Sequence, residues 1–406
     1  MAPFASIKKP PVDPMNILKR RADGDTHPDK VDLGVGIYRN EQGGYYEFPA
    51  IKKAKQILTE KNLGHDYIPT TGIPSFIPLA KKFMFGESFD IERVASVQTV
   101  AGTGANRIGA AFLSAHYATD STKAYIGTPA WGNYIPLFTH AGIPCATYKY
   151  HDIKARGVDF ASVLQAATQA PPGSIFVLQG CCNNPSGSDM TKEQWTALAQ
   201  VIKERGHFAF FDVAYQGLGT TAPDGGLDDI WAMRHFVSQG INMSVCQSFS
   251  KNMGLYSERV GVLHIVCEDA AIASRVQDVL RSIVRWEFSS APSYGARLAE
   301  TILENPELKA QWVKEVAAAS SRLVANRQKL HRELTVVLKT PGHWDFLLRD
   351  KGLFSLLGLS EEQVEMLISQ HHIYLPANGR INVAGLNDSN IQTVARAIDS
   401  VIRKDL

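Results

Sequence analysis

The sequence predicts an α/β protein in which a large domain, with a mixed and mostly parallel sheet flanked by helices, is joined to a small α+β domain. Three observations predict this fold. Short apolar runs alternate with helical patterns through the middle of the chain, as is typical of parallel strands joined by crossover helices. One long helical pattern then leads into a C-terminal segment of mixed helix and strand patterns, as a helix that bridges two domains would. A chain of 406 residues also exceeds what one hydrophobic core usually supports.

The clearest strands are four short runs of mainly apolar residues, at 124–127, 174–178, 208–213 and 260–266. Such runs are typical of strands that are buried on both faces of a parallel sheet. A helical pattern follows the second run, and Thr191 is placed to cap its first turn. The main sheet is therefore expected in the central part of the chain.

The longest helical pattern runs from about residue 305 to 337. Pro306 lies in its first turn, where proline is tolerated because no intrahelical hydrogen bond is lost. Apolar residues recur at helical spacing along it. We expect this helix to lead from a large domain at 48–305 into a small domain at 1–47 and 306–406, formed by both ends of the chain.

The composition narrows the classes of partner. The net charge of +2 offers no basic surface for nucleic acid or a membrane, and no apolar run approaches the ~18 residues of a membrane helix. The five cysteines form neither a framework nor a CxxC pair, which favours a reducing compartment. The first residues show no leader pattern, so we expect a cytoplasmic protein. No metal site is expected.

Lys251 is the first candidate for chemistry. It lies in the loop 248–256, between the apolar pair 245–246 and the strand at 260–266. Partial burial at a sheet edge and the nearby Arg259 would both lower its pKa, and a neutral lysine is the nucleophile that a Schiff base needs. Taken alone, the same lysine fits a solvated surface charge.

Asp212 is the second candidate, because it lies at the end of the fully apolar strand 208–213. Ligands of open α/β sheets bind at the carboxyl ends of strands. A buried carboxylate there needs a cationic partner or hydrogen-bond donors. The protonated nitrogen of a pyridine cofactor would be such a partner, and Asp212 would keep that ring electron-withdrawing. The alternative is an ordinary helix-capping or turn aspartate.

Three further segments are weaker signals. The segment 101–105 places Gly102 and Thr103 at the start of a helix, where free N–H groups favour a phosphate. It lacks the third glycine of the dinucleotide fingerprint and the lysine of a P-loop, and an ordinary tight turn also fits. The segment 183–187 has the composition of a turn. Arg380, on a short predicted strand, fits either a carboxylate clamp or a surface ion pair.

The five segments occur in an order that resembles the class I aminotransferases of pyridoxal-phosphate (PLP) fold type I, most closely the aspartate aminotransferase group. The segment 258–261, Glu-Arg-Val-Gly, is a specific part of this resemblance, which covers nearly the whole chain from the segment 31–39 onward. It implies an enzyme that moves an amino group between an amino acid, of the aspartate or glutamate type, and a 2-oxo acid by ping-pong exchange. It also implies a homodimer with shared active sites.

The resemblance assigns roles to individual residues. Lys251 resembles the lysine that carries PLP covalently, and Asp212 resembles the partner of the ring nitrogen. The other cofactor contacts are implied to be Gly102, Thr103, Ser248 and Arg259 around the phosphate, Asn184 and Tyr215 at the phenolic oxygen, Trp131 against the ring, and Tyr67 reaching the phosphate of the other subunit.

Substrate contacts follow from the same resemblance. Arg380 matches the clamp for the α-carboxylate, and Gly36 is expected beside the substrate. Arg285 matches a second arginine that dicarboxylate-specific members donate across the dimer. The resemblance also implies that the Asn184–Pro185 and Thr128–Pro129 peptide bonds are cis.

Several positions depart from the family pattern. Gln179, Asn183 and Tyr134 stand where the family commonly has histidine. Ser186 replaces a threonine, and Ser290 and Ala291 replace the Asn-Pro that follows the second arginine. Because groups behind a site tune the residues that line it, the resemblance predicts PLP binding and leaves the reaction open. The alternative is a repurposed relative that acts on a specialised or aromatic amino acid, or that performs elimination, decarboxylation or carbon–carbon bond formation.

Two other classes fit less well. Ser248 and Lys251 also form the Ser-x-x-Lys of acyl-serine enzymes, but the Ser-Asp-Asn and Lys-Thr-Gly motifs of that class are missing. A non-catalytic binding module would be favoured by loss of Lys251 or Asp212, and both are present.

Overall fold

The computed structural model describes residues 3–9 and 12–404. Its strands are β1 (Val31–Asp32), β2 (Val94–Val100), β3 (Ala124–Thr128), β4 (Cys145–Lys149), β5 (His151–Asp152), β6 (Gly157–Val158), β7 (Ile175–Gln179), β8 (Phe208–Val213), β9 (Met243–Ser248), β10 (Val260–Val266), β11 (Phe354–Leu356), β12 (Ile373–Tyr374) and β13 (Arg380–Asn382). Its α-helices are α1 (Pro14–Gly24), α2 (Pro49–Lys61), α3 (Phe76–Phe85), α4 (Ala101–His116), α5 (Tyr134–His140), α6 (Phe160–Gln169), α7 (Lys192–Glu204), α8 (Trp231–Ser238), α9 (Ala270–Glu287), α10 (Tyr294–Glu304), α11 (Pro306–Arg332), α12 (Phe346–Arg349), α13 (Glu361–His371) and α14 (Ile391–Arg403).

A seven-stranded sheet forms the centre of the protein. Its strand order is β2-β10-β9-β8-β7-β3-β4, and β10 alone among these described strands runs antiparallel to its neighbours. Strands β8, β9 and β10 are buried along their whole length, which accounts for their unbroken apolar runs. The predicted fold class, a mixed and mostly parallel sheet flanked by helices, is confirmed.

The predicted elements lie close to their expected positions. The four strands predicted from apolar runs are β3, β7, β8 and β10, each within about one residue of its expected bounds. Thr191 caps α7 through a reciprocal pair of hydrogen bonds with Gln194. The long helix is α11, capped by the side chain of Asn305, and a π-helical turn continues it through Glu333–Val337.

Segments from the N-terminal and C-terminal parts of the chain pair with each other outside the main sheet. Strand β1 pairs in parallel with β12, and β11 pairs antiparallel with β13, so that Leu356 lies opposite Arg380. These pairings position Arg380 on a strand, as expected. The domain boundaries proposed from the sequence remain a prediction.

Three smaller expectations concern two proline peptide bonds, the state of the cysteines and membrane-spanning helices. The Thr128–Pro129 and Asn184–Pro185 peptide bonds are both cis, as predicted. All five cysteines are free thiols. Within the described ranges, no helix combines the length and the apolar character needed to cross a membrane.

Candidate active site

One edge of the main sheet brings the predicted residues together. Asp212 lies near the carboxyl end of β8, opposite Gln179 at the end of β7, and Ser248 ends β9. Because β10 runs antiparallel, Arg259, which precedes it, reaches the same edge. A cavity at this edge is lined by Ala101, Gly102, Thr103, Trp131, Tyr134, Gln179, Asn184, Asp212, Ala214, Tyr215, Ser248, Ser250, Lys251 and Arg259. Lys251 and every predicted cofactor contact except Tyr67 therefore share one cavity.

Lys251 is a partly buried amine in this cavity. Its Nζ lies 5.1 Å from the centre of the Tyr215 ring. Burial lowers the pKa of Lys251, the charge of Asp212 opposes that shift, and the charge of Arg259 adds to it. The lowered pKa leaves more of the lysine in the neutral, nucleophilic form, in the direction that the sequence predicts.

Asp212 is a buried carboxylate held by a phenol. Its Oδ2 accepts a hydrogen bond of 2.7 Å from the hydroxyl of Tyr134. Burial raises the pKa of Asp212, and the hydrogen bond from Tyr134 and the charge of Lys251 oppose that shift. A buried carboxylate whose hydrogen-bond donor is neutral is suited to a cationic ring nitrogen in the cavity.

The start of α4 and Arg259 form the polar end of the cavity. A Cβ added at Gly102 would lie 3.1 Å from the Cβ of Ser248, so glycine keeps the backbone open there. The Nη1 of Arg259 donates to the carbonyl of Tyr256 and the hydroxyl of Ser250, both neutral acceptors. Helix N–H groups, hydroxyls and an arginine whose acceptors are neutral together suit a phosphate.

Arg380 contacts Asn184, one of the residues that line the cavity. Its Nη1 donates to Asn184 Oδ1 at 3.0 Å and its Nη2 donates to the carbonyl of Gly34 at 2.8 Å. The guanidinium carbon lies 4.2 Å from the centre of the Phe354 ring, and its buried Nε has no hydrogen-bond partner. Gly36 packs on Phe354, where a Cβ would lie 2.8 Å from the ring. A guanidinium fixed in this way is suited to a carboxylate ligand.

The residues that line this cavity do not include Arg380 and Gly36, described above, or the predicted residues Tyr67 and Arg285. Tyr67 is 91% exposed. Arg285, near the end of α9, is also exposed, and it donates to the hydroxyl of Ser289 in its own chain. Ser290 is partly exposed and Ala291 is buried. The resemblance assigns Tyr67 and Arg285 to the site of a second subunit, and that assignment stays a prediction.

The departures from the family pattern occupy defined places. Tyr134 and Gln179 line the cavity itself. Asn183 is buried, and its Oδ1 accepts a hydrogen bond of 2.8 Å from Ser186, the other altered residue of that turn. Each of the three positions that the family commonly fills with histidine therefore holds an uncharged side chain that can form hydrogen bonds.

Sequence reasoning did not single out Ala101, Ala214, Ser250 or Asn106 as site residues. Ala214 and Ser250 are chain neighbours of predicted residues, so adjacency was a usable signal. Asn106 lies one helical turn beyond Gly102 and donates to its carbonyl at 2.8 Å. Its i+4 spacing from the glycine was a signal that could have identified it.

The chain is similar to known proteins both in sequence and in structure. A model of the family "Aminotransferase class I and II" matches residues 28–398. The cytoplasmic aspartate aminotransferase of Schizosaccharomyces pombe is 39% identical over 407 residues, covering 99% of this chain and 98% of its own. The mitochondrial aspartate aminotransferase of Dictyostelium discoideum is 39% identical over 403 residues, covering 98% and 93%. A crystal structure of the aromatic-amino-acid aminotransferase of Burkholderia pseudomallei, covalently bound to pyridoxal phosphate, has a TM-score of 0.95 at 36% identity and covers 99% of this chain and 100% of that one.

Proposed function

The chain belongs to the class I and II aminotransferases, and on that premise we propose that it exchanges amino groups between aspartate or glutamate and 2-oxo acids. Membership makes it a PLP-dependent enzyme of amino-acid transamination. The observation that carries the proposal for the site is the cavity that holds the amine of Lys251, the buried carboxylate of Asp212 and the guanidinium of Arg259, with Arg380 bonded to Asn184 in its wall.

The residues of the cavity fit PLP. Bound PLP supplies an aldehyde carbon that amines attack and a ring that draws electron density from the substrate α-carbon. Asp212 would hold the ring nitrogen in its protonated form, and Asn184 and Tyr215 would hold the phenolic oxygen. Gly102, Thr103, Ser248 and Arg259 would hold the phosphate, and Trp131 would contact the ring.

Lys251 provides the reactive amine. Its Nζ would hold PLP when the cofactor is bound, and as a free neutral amine it would be the base that removes the proton from the substrate α-carbon. The lowered pKa of Lys251 favours the neutral base that this transfer requires. Since one amine removes and later returns the proton, no second basic residue is needed.

Arg380 binds the α-carboxylate that every amino-acid substrate carries. Its partnerless Nε and its position beside Asn184 support this role. Arg285 binds the second carboxylate of a dicarboxylic substrate, from the partner subunit of a homodimer. The exposure of Tyr67 and Arg285, and of Trp286 at 79%, is consistent with a surface that a second copy covers.

A second candidate substrate class is an aromatic amino acid. The side chain of Arg285 is exposed and donates to the short, neutral side chain of Ser289, a weak contact that would let it turn away from an uncharged substrate. The structural similarity to an aromatic-amino-acid aminotransferase favours including this class. A screen of amino donors and 2-oxo acids tests both classes, because dicarboxylates should be the best pair if the first proposal holds. An enzyme active only on aromatic pairs would overturn it.

The remaining proposals concern organisation and location. We propose a large domain at 48–305 and a small domain at 1–47 and 306–406, supported by the pairing of β1 with β12.

A cytoplasmic location is supported by the relative from S. pombe, whereas the relative from D. discoideum is named as mitochondrial. Imaging of the full chain with organelle markers tests the location.

A further inference from the structure

Tyr134 contacts two separate parts of the proposed cofactor cavity. It is the first residue of α5 and is 2% exposed. Its hydroxyl donates to Asp212 Oδ2 at 2.7 Å. Its ring meets the Trp131 ring edge to face, with centroids 5.2 Å apart and planes at 84°. Its main-chain N–H donates to the carbonyl of Trp131 at 3.2 Å.

We propose that Tyr134 is a positioning residue that fixes the Asp212 carboxylate and the Trp131 ring as one unit against the cofactor. This inference rests on the proposed function and deepens it. The phenol orients the carboxylate toward the ring nitrogen, while the aromatic edge of the same side chain sets the tilt of Trp131. Neither contact requires Tyr134 to touch the cofactor or the substrate.

The choice of a phenol has a chemical consequence. A histidine at this position would change its charge near neutral pH, whereas a buried phenol stays neutral. Burial and the neighbouring Asp212 hold the pKa of Tyr134 well above its usual value. The titratable groups that face Tyr134 are Asp212, Tyr215 and Cys246, with Tyr148 and Tyr150 across a small cavity below it. No histidine occurs among the described residues that line this small cavity or the proposed cofactor cavity, so the support of Asp212 should not titrate near neutral pH.

The test separates the two contacts. Tyr134→Phe keeps the ring against Trp131 and removes the donor to Asp212, while Tyr134→His restores a donor that titrates. Tyr117→Phe is the matched control, because its hydroxyl donates to the carbonyl of Gly206 away from the cavity. The readouts are the PLP dissociation constant of the reconstituted enzyme, measured from pH 5.5 to 9, and kcat and KM with aspartate.

Tyr134→Phe should weaken PLP binding by about 10-fold or more, the worth of a hydrogen bond to a charged group, with a fall in kcat that exceeds the change in KM. Tyr134→His should recover PLP affinity near neutral pH and change the pH profile of PLP binding relative to that of the wild type. Tyr117→Phe should leave both unchanged. If Tyr134→Phe does not fold, Tyr134→His alone decides, since a pH profile of PLP affinity identical to that of the wild type would contradict the proposal.

The result that overturns the inference is a Tyr134→Phe enzyme that binds PLP and turns over aspartate within twofold of the wild type. Equal losses in Tyr134→Phe and Tyr117→Phe would also overturn it. Failure of the proposed function looks different, because the wild type itself would then bind no PLP or would exchange no amino group with any donor.

Discussion

Gln179 closes a pair of hydrogen bonds with the main chain of Asn184. Its Nε2 donates to the Asn184 carbonyl at 2.9 Å, and its Oε1 accepts from the Asn184 N–H at 2.8 Å. The side chain of Asn184 in turn accepts from Arg380 at 3.0 Å. The end of β7 is therefore connected through two residues to the proposed substrate clamp.

Gln179→Met should raise the KM for amino acids. The variant keeps the length of the side chain and loses both hydrogen bonds, each worth about 1 kcal/mol. Asn184 and Arg380 would then be less well fixed, and we expect KM to rise about 10-fold with a smaller change in kcat. Gln200→Met is the control, since Gln200 is exposed on α7 and bonds Glu204. Similar kinetic effects from the two substitutions would contradict this prediction.

Arg285→Ala and Arg380→Ala should differ in their substrate profiles. Losing Arg380 should lower kcat/KM for every amino acid, because all carry the α-carboxylate. Losing Arg285 should lower kcat/KM for aspartate, glutamate and 2-oxoglutarate by about 100-fold, the cost of leaving a bound carboxylate without its charged partner. Aromatic substrates should change little. Uniform losses across substrates in Arg285→Ala would show that this arginine does not select dicarboxylates.

Hybrid dimers test whether Arg285 acts across the subunit interface. A Lys251→Ala subunit is combined with an Arg285→Ala subunit, and the hybrid is purified through two different tags. If Arg285 serves the partner's site, one of the two sites holds both native residues, and about half of the wild-type activity on aspartate should return. If both residues act within one subunit, no site is complete and the activity stays at the level of the single variants.

His264 should make stability depend on pH. It is fully buried between Ser96 and Gln247, and its ring nitrogens lie 2.8 Å and 2.9 Å from their side-chain oxygens. Burial, with a smaller contribution from Lys81, lowers the pKa of His264 to about 3. Since this pKa lies below the unfolded value of about 6.5, the unfolded chain binds the proton first. Stability is therefore complete above pH 6.5 and is lost as the pH falls toward 3.

Urea unfolding at pH 7.5 and pH 5.5 measures this dependence. The wild type should lose about 1.4 kcal/mol more free energy of unfolding between these pH values than His264→Gln does. Asp229 and Asp350, whose pKa values burial raises to about 7, act in the opposite direction in both proteins and cancel in the comparison. An equal loss in the two proteins would show that His264 does not carry the effect.

The sequence predicts the main sheet and most of the cavity for identifiable reasons. Lys251 follows the buried strand β9, and Asp212 lies near the end of the buried strand β8. A parallel sheet brings such positions to one edge. The contacts of Tyr134 and Gln179 were not predictable in the same way, because each replaces a histidine with a group of different length and bonding pattern. Only the folded geometry shows that Tyr134 reaches Asp212. The roles of Tyr67 and Arg285 depend on a second subunit, which no spacing within one chain encodes.

The central claim is that Lys251 carries PLP in a transaminating enzyme. The most direct test is borohydride reduction of the purified protein loaded with PLP, followed by mass spectrometry of its peptides. The account predicts that the peptide containing Lys251 gains the mass of the reduced cofactor, and that prior incubation with aspartate or glutamate abolishes this labelling. Labelling at a different lysine, or none at all in a protein that binds PLP, would contradict the account.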